Sequence, residues 1–294
     1  MRLLLAFAVV LASPLARAAG EAPKIKVGVT LHPYFSWVKS IAVDCPIEVR
    51  AVLPGDTDAG NYQPSPDDIR KIADLDAIVI NGIGHDDFIA DMIKAAGNTK
   101  LKVIRPNDET PTLRAAHGTA VNSHTFLSFT NAIQQTYAIA RALGDLKPEL
   151  GPKLQENASA YAKRLRAIKN AAARELAGAK ITRVVTVHDG YSYLLQEFGI
   201  ELAGVVEPAH GLVPSAAELQ QMIQLIQREH IKVVLSEESF PKPLLKVLQD
   251  STSARVYLIS HVATGTYSAD EFERVMSENA QVLVRALVKD PTGT

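Results

Sequence analysis

Residues 181–199 read ITRVVTVHDGYSYLLQEFG, and the fold turns on how this stretch is read. Thr182–Val187 is a β-branched run, the pattern of a strand buried on both faces of a parallel sheet. It stops at His188. An Asp189-Gly190 turn follows, and a helix starts near Tyr191. In open α/β sheets, ligands bind in the crevice beyond the carboxyl ends of the strands. His188 falls at such an end, which raises the question of what else the chain places on that edge.

Towards the C-terminus the alternation continues. Ile200–Val206 reads as a strand, and Glu207–Pro214 as a loop holding His210. Ser215–Glu229 is a capped helix, Lys232–Ser236 a strand, Lys242–Gln249 a helix and Arg255–Ile259 a strand. Ser260–Tyr267 is a loop holding His261, and Ser268–Val288 the last helix, capped by Ser268 or Asp270. Towards the N-terminus, Lys153–Leu176 contains neither Pro nor Gly and is rich in Ala, Leu, Lys, Arg and Glu. It reads as one long helix. Before it the alternation recurs: strands at Lys24–Leu31, Ile47–Leu53, Ala77–Asn81 and Lys102–Arg105 are separated by helical stretches at Phe35–Ala42, Ser65–Leu75 and Asp86–Ala96. Ser65-Pro66-Asp67-Asp68 is a helix start, with an N-cap serine, proline at the first helical position and an acid three residues after the cap. Leu127–Leu143 is helical as well.

Strand–helix alternation on both sides of one long helix predicts an α/β fold with two lobes. Each lobe is a parallel sheet with helices on both faces, and a cleft lies between them. The expected division is a leader at 1–18, an N-terminal lobe at 19–145, a linker helix at 146–178 and a C-terminal lobe at 179–294.

Composition narrows the function. The formal net charge is −1, which gives no broad basic field for nucleic acid. Arg2, the apolar run Leu3–Leu11 and Ala16-Arg17-Ala18 form an export signal with a cleavage site, so a periplasmic, soluble protein is expected, with cleavage near Ala18. No cysteine follows that run to carry a lipid anchor. Cys45 is the only cysteine, which excludes an intrachain disulfide and a thiolate metal cluster; it reads as a buried, inert thiol.

There are eight histidines. His32, His85, His188, His210 and His261 each fall in the loop after a predicted strand, and His124 falls just before a helix. His230 alone belongs to the opposite edge. Imidazoles gathered without cysteine form a nitrogen-type metal site, suited to Zn, Ni, Co or Fe(II). Asp189 and Glu207 are expected to orient histidines. Ser123-His124 and Ser260-His261 are adjacent pairs, but no G-x-S-x-G elbow, triad order, H-E-x-x-H, dinucleotide fingerprint or P-loop is present, so no enzyme is expected.

Four segments together resemble the substrate-binding proteins of zinc and manganese ABC transporters, some of them described as adhesins. They are LPGDTDAGNYQPSPDDI (Leu53–Ile69), VNSHTFLS (Val121–Ser128), VHDGYSYLLQEFG (Val187–Gly199) and ISHVATGTYSADEFERVMSENAQVL (Ile259–Leu283). The resemblance covers the whole mature chain. It implies two α/β lobes joined by a long helix, with a metal in the cleft. It places the family's second and third histidine ligands at His124 and His188. Gly60 stands where the family has its first histidine and His261 where it has an aspartate. The family's His-rich acidic loop is missing, and only His117 lies in that region.

The expected centre is therefore rebuilt from His85, His124, His188 and His261, with His32 and His210 as fifth and sixth ligands, and it favours Zn, Ni, Co or Fe(II) over Mn. The expected function is capture of a divalent metal for an ABC permease in the inner membrane, by a monomer. The alternative is a metal–chelator (siderophore) complex, or its released iron, handled with another periplasmic binding protein. A metal-dependent hydrolase with Glu207 or Asp189 as base is a third reading.

Overall fold

The computed structural model describes residues 24–207, 209 and 211–289. The leader and His210 lie outside the described residues.

The N-terminal lobe is a four-stranded, all-parallel sheet in the order β2-β1-β3-β4. Its strands are β1 (Ile25–Val29), β2 (Ile47–Ala51), β3 (Ala77–Val79) and β4 (Lys102–Ile104). The helices α1 (His32–Ile41), α2 (Pro66–Ile72) and α3 (Phe88–Ala96) connect them. The C-terminal lobe repeats the plan with β5 (Arg183–Thr186), β6 (Glu201–Val205), β7 (Val233–Ser236) and β8 (Arg255–Leu258), in the order β6-β5-β7-β8. Its helices are α6 (Ser192–Glu197), α7 (Ala216–Arg228), α8 (Lys242–Ser251) and α9 (Glu271–Val284). Val27, Val29, Ala77, Ile78, Val79, Val184 and Val185 are fully buried, as strands covered on both faces require. In each lobe the chain reverses strand order beside its first strand, which puts a crevice at that strand's carboxyl end.

Between the lobes run α4 (Phe129–Leu146) and α5 (Gly151–Leu176). At 26 residues α5 is roughly 39 Å long. Leu154, Ala158, Tyr161, Ala162 and Leu165 form its buried stripe, against α4, α1 and α9. One hydrophobic cluster runs through this contact, from Val27 and Trp37 to Val184, Leu235 and Phe272. A smaller cluster around Val187, Leu219, Ile223 and Phe240 belongs to the C-terminal lobe alone.

Several helix starts differ from the expectation, two of them around α1 and α9. Helix α1 begins at His32 rather than Phe35, because Pro33 suits the first turn of a helix and Leu31 is extended. Helix α9 begins at Glu271 with Asp270 at the N-cap, the second of the two caps expected, and the residues before it are strapped to α1. Ser36 Oγ donates to Ser268 O at 2.7 Å, and Ser40 Oγ to Ala269 O at 3.3 Å.

Candidate metal centre

The carboxyl edge of the C-terminal sheet carries a row of functional groups in strand order. Glu207 follows β6, His188 follows β5, Glu237 follows β7 and His261 follows β8. Glu207 accepts His188 Nδ1–H at 3.2 Å, and Glu237 stands 2.8 Å from His261 Nδ1. Tyr191 Oη donates to the other oxygen of Glu237 at 2.7 Å. Gly190 lies against the His188 ring, where a Cβ would stand 2.8 Å from Cδ2, so the residue after Asp189 has to be small.

The N-terminal lobe faces this row with His85, His124 and Asp58. His85 follows β3 on a loop shaped by Gly82 and Gly84, both at positive φ. The next residue, Asp86, fixes the loop by accepting Thr30 Oγ1 at 2.6 Å, Asn81 N–H at 2.7 Å and Gly82 N–H at 2.8 Å. That use of Asp86 is why α3 starts at Phe88 and not at Asp86, where the pattern placed it. His124 precedes a turn of 3-10 helix, and its Nδ1–H donates to Asn122 Oδ1 at 3.0 Å.

The four rings meet. Ring centroids are 4.8 Å apart for His85–His124, 4.7 Å for His124–His188 and 5.4 Å for His188–His261. Phe126 packs under His85 and His124 at 5.3 and 5.7 Å. The Nε2 atoms of His124 and His188 are 3.0 Å apart. Asp58 stands across from them, with Oδ2 3.0 Å from His261 Nε2 and Oδ1 3.6 Å from His85 Nε2. Burial would lower the pKa of His261, but the Glu237 charge and the hydrogen bonds to Asp58 and Glu237 raise it on balance. Burial likewise opposes charge on Glu237, yet His261 and His188 hold that carboxyl below its usual range. Val262, next to His261, takes a positive φ of 57° while fully buried, a strained conformation for a β-branched residue.

Among the described residues, no group of three or more His, Cys, Asp or Glu side chains stands ready-made in a metal-holding geometry. His261 is paired with Asp58 and with Glu237. Two cavities reach it. One, of about 510 Å³, is lined by Asp58, His188, Glu207, Glu237, Glu238 and His261 among others, with no Lys or Arg among the described residues. The second, of about 240 Å³, lies on the other side of His188 and Glu207 and reaches His117 and His124.

Three expectations need correction. His32 stands apart from the cluster in its contacts: Nε2–H donates to Gly265 O at 3.2 Å, and the ring stacks on Tyr267 at 4.1 Å. Among the described residues Asp189 orients no histidine through its carboxylate, which accepts Ala116 N–H at 2.6 Å and Ser192 Oγ–H at 2.9 Å. Asp58 and Glu237 also stand at the rings, so loss of the family's carboxylate, the reason for disfavouring Mn, does not hold. Asp58 and Glu237 were missed. Glu237 directly follows β7, and the rule that singled out the histidines would have found it. Asp58 sits two residues before Gly60, too near an apparent deletion of a ligand to attract notice.

Comparison with known proteins agrees with this architecture. Residues 27–286 match the family model described as zinc-uptake complex component A, periplasmic. The zinc-binding lipoprotein AdcA of Streptococcus pneumoniae serotype 4 is 24% identical over 277 residues, covering 88% of this chain and 55% of the relative. The chain thus spans about half the length of the curated relatives it matches first. Among solved structures, the SBP FpvC of Pseudomonas aeruginosa in complex with Mn2+ is 40% identical, with a TM-score of 0.85 over 91% of this chain and 99% of that one. The same protein in complex with a Ni2+ ion matches at 40% and 0.85 over 92% and 99%. With two parallel-sheet lobes, a long connecting helix and a family match over nearly its full length, the chain belongs to the family of periplasmic zinc-uptake complex component A proteins.

Proposed function

We propose that this protein captures a divalent transition-metal ion between its lobes, with His85, His124, His188 and His261 as nitrogen donors and Asp58 as an oxygen donor. The observation that carries the reading is the pairing of His124 with His188. Each ring donates its Nδ1–H, to Asn122 and to Glu207, which turns its Nε2 towards the other ring. The two Nε2 atoms stand 3.0 Å apart in the cleft. Two nitrogens bound at about 2.1 Å to one ion lie roughly 3.0 Å apart at a right angle and roughly 3.4 Å apart at the tetrahedral angle. The pair therefore already has the spacing of two neighbouring ligands.

The mixed nitrogen and carboxylate set suits Zn, Ni, Co and Fe(II), and it admits Mn. The acidic cavity favours a bare cation over an anionic metal–chelator complex. Hydrolysis is disfavoured because both candidate bases are committed elsewhere, Glu207 to His188 and Asp189 to Ala116 and Ser192. His210, beside the cavity in sequence, stays a candidate additional ligand. An export leader at 1–18 and the family membership support a role in delivering the ion to an ABC permease from the periplasm, as a monomer. No helix of the described residues is long and apolar enough to cross a membrane.

Calorimetric titration of metal-stripped protein with Zn2+, Ni2+, Co2+, Fe2+ and Mn2+ tests the proposal. Tight one-to-one binding of at least one ion is expected. Folded protein that binds none of them refutes it.

A further inference from the structure

Asp189, Tyr193 and Glu197 are spaced four apart, so they share one face where the chain enters and forms α6. All three grip the N-terminal-lobe segment that carries His124. Asp189 accepts Ala116 N–H at 2.6 Å, and its backbone oxygen accepts Asn122 Nδ2–H at 2.7 Å. Glu197 accepts Phe129 N–H at 2.8 Å and Thr130 N–H at 2.9 Å, which caps α4 from the other lobe. The Tyr193 hydroxyl does two things at once: it accepts Leu113 N–H at 2.8 Å and donates to Asn122 O at 2.7 Å. Leu113 and Asn122 are themselves joined, Asn122 N–H to Leu113 O at 2.9 Å, at the neck of the loop between them. Asn122 then receives both the backbone N–H and the Nδ1–H of His124 on its Oδ1, each at 3.0 Å.

We propose that Tyr193 is a positioning residue for the metal centre: through Asn122 it holds His124 Nε2 aimed at His188, across the lobe boundary. This rests on the metal-binding reading above. The hydroxyl fixes the backbone of Asn122, the Asp189 carbonyl fixes which way its side-chain amide faces, and the remaining Oδ1 sets the tautomer and direction of His124. His188 and Tyr193 belong to the same strand–helix corner, so one element presents one histidine and holds the partner of the other.

Tyr193→Phe removes only the hydroxyl. Tyr161→Phe is the matched control, because the buried Tyr161 hydroxyl in α5 has no hydrogen-bond partner among the described residues. The probe is Co2+ alone, followed by competition titration and by its visible spectrum. Loss of an outer-shell partner typically weakens metal binding about 10–100-fold. Tyr193→Phe is expected to weaken Co2+ binding by that factor and to shift the spectrum, with Tyr161→Phe unchanged in both. Asn122→Ala is expected to give a similar loss, and the double variant no more than either single change, as links of one chain should. Unchanged affinity and spectrum in Tyr193→Phe, equal loss in Tyr161→Phe, or losses that add in the double variant each overturn the inference. Should Tyr193→Phe fail to fold, Asn122→Ala with unaltered affinity and spectrum overturns it alone. Where wild type binds another of the five ions but not Co2+, affinity for that ion is the readout; a wild-type protein that binds none of the five fails at the earlier step and removes the metal reading and this inference together.

Discussion

His188 takes its direction from Glu207 at 3.2 Å and from Gly190 against its ring, and its value as a donor lies in where those contacts aim its Nε2. The same holds for His124 and Asn122. On this account His188→Ala and His85→Ala each weaken metal binding by more than about 100-fold, beyond the range that outer-shell changes reach. His32→Ala weakens it less, because that ring serves Gly265 and Tyr267. Competition titrations on the three variants check this; an effect of His32→Ala as large as that of His188→Ala would contradict it. Sequence reading reached His85, His188 and His261 because a histidine at a strand end is conspicuous, and His124 because its segment resembles a family motif. It passed over Asp58 and Glu237 because loop acids are common; their pairing with His261 distinguishes them, Asp58 from across the cleft and Glu237 from the same sheet edge.

At the level of elements, two devices can be tested apart from the metal. The first is the start of α2, where Ser65 and Asp68 form a reciprocal capping box and Lys71 Nζ donates to Asp68 at 2.7 Å. Tyr62 also donates to this buried carboxylate. Burial would raise the pKa of Asp68, but the hydrogen bonds from Lys71, Ser65 and Tyr62 outweigh it and hold the carboxyl well below the usual range. A lowered native pKa means that the ionised form stabilises the fold above the unfolded value of about 3.9, and that this contribution fades as pH falls below it. Asp68→Asn should cost about 1 kcal/mol at pH 7, and the gap to wild type should narrow by pH 3 in urea titrations. A gap that widens on acidification would contradict the assignment.

The second device is the meeting of Gly55 with Gly265. Gly265 N–H donates to Gly55 O at 2.8 Å, and a Cβ on Gly55 would stand 2.6 Å from Gly265 O. This backbone contact ties the loop of Asp58 to the loop of His261. Gly55→Ala should therefore destabilise the fold by about 1–3 kcal/mol, as overpacking does, and weaken metal binding with it. Thermal melts with and without metal test this, and an unchanged melting point would contradict it. The capping box was legible in the sequence, because Ser-Pro-Asp-Asp is a local signal. The strap was not, because Gly55 and Gly265 are far apart along the chain and neither belongs to a periodic pattern.

For the whole molecule, the two-lobe plan could be read from repeated alternation around one uninterrupted helix, since both are local patterns summed over length. How the lobes grip one another could not. Each sends a segment to the other: residues 113–130 lie under the α6 face, and residues 265–272 lie against α1. Those contacts and the shared core along α5 predict that both lobes unfold together. Leu165→Ala, which empties a fully buried position in α5, should lower stability by about 2–5 kcal/mol while keeping a single transition in calorimetry. Two separate transitions would mean that the lobes are independent. The most direct test of the account as a whole is anomalous scattering from crystals of the metal-loaded protein. It should show one ion in the cleft within bonding distance of Nε2 of His124 and of His188 and of at least one of His85, His261 and Asp58. An ion bound elsewhere, or a cleft that stays empty while His124 and His188 keep their contact, would contradict it.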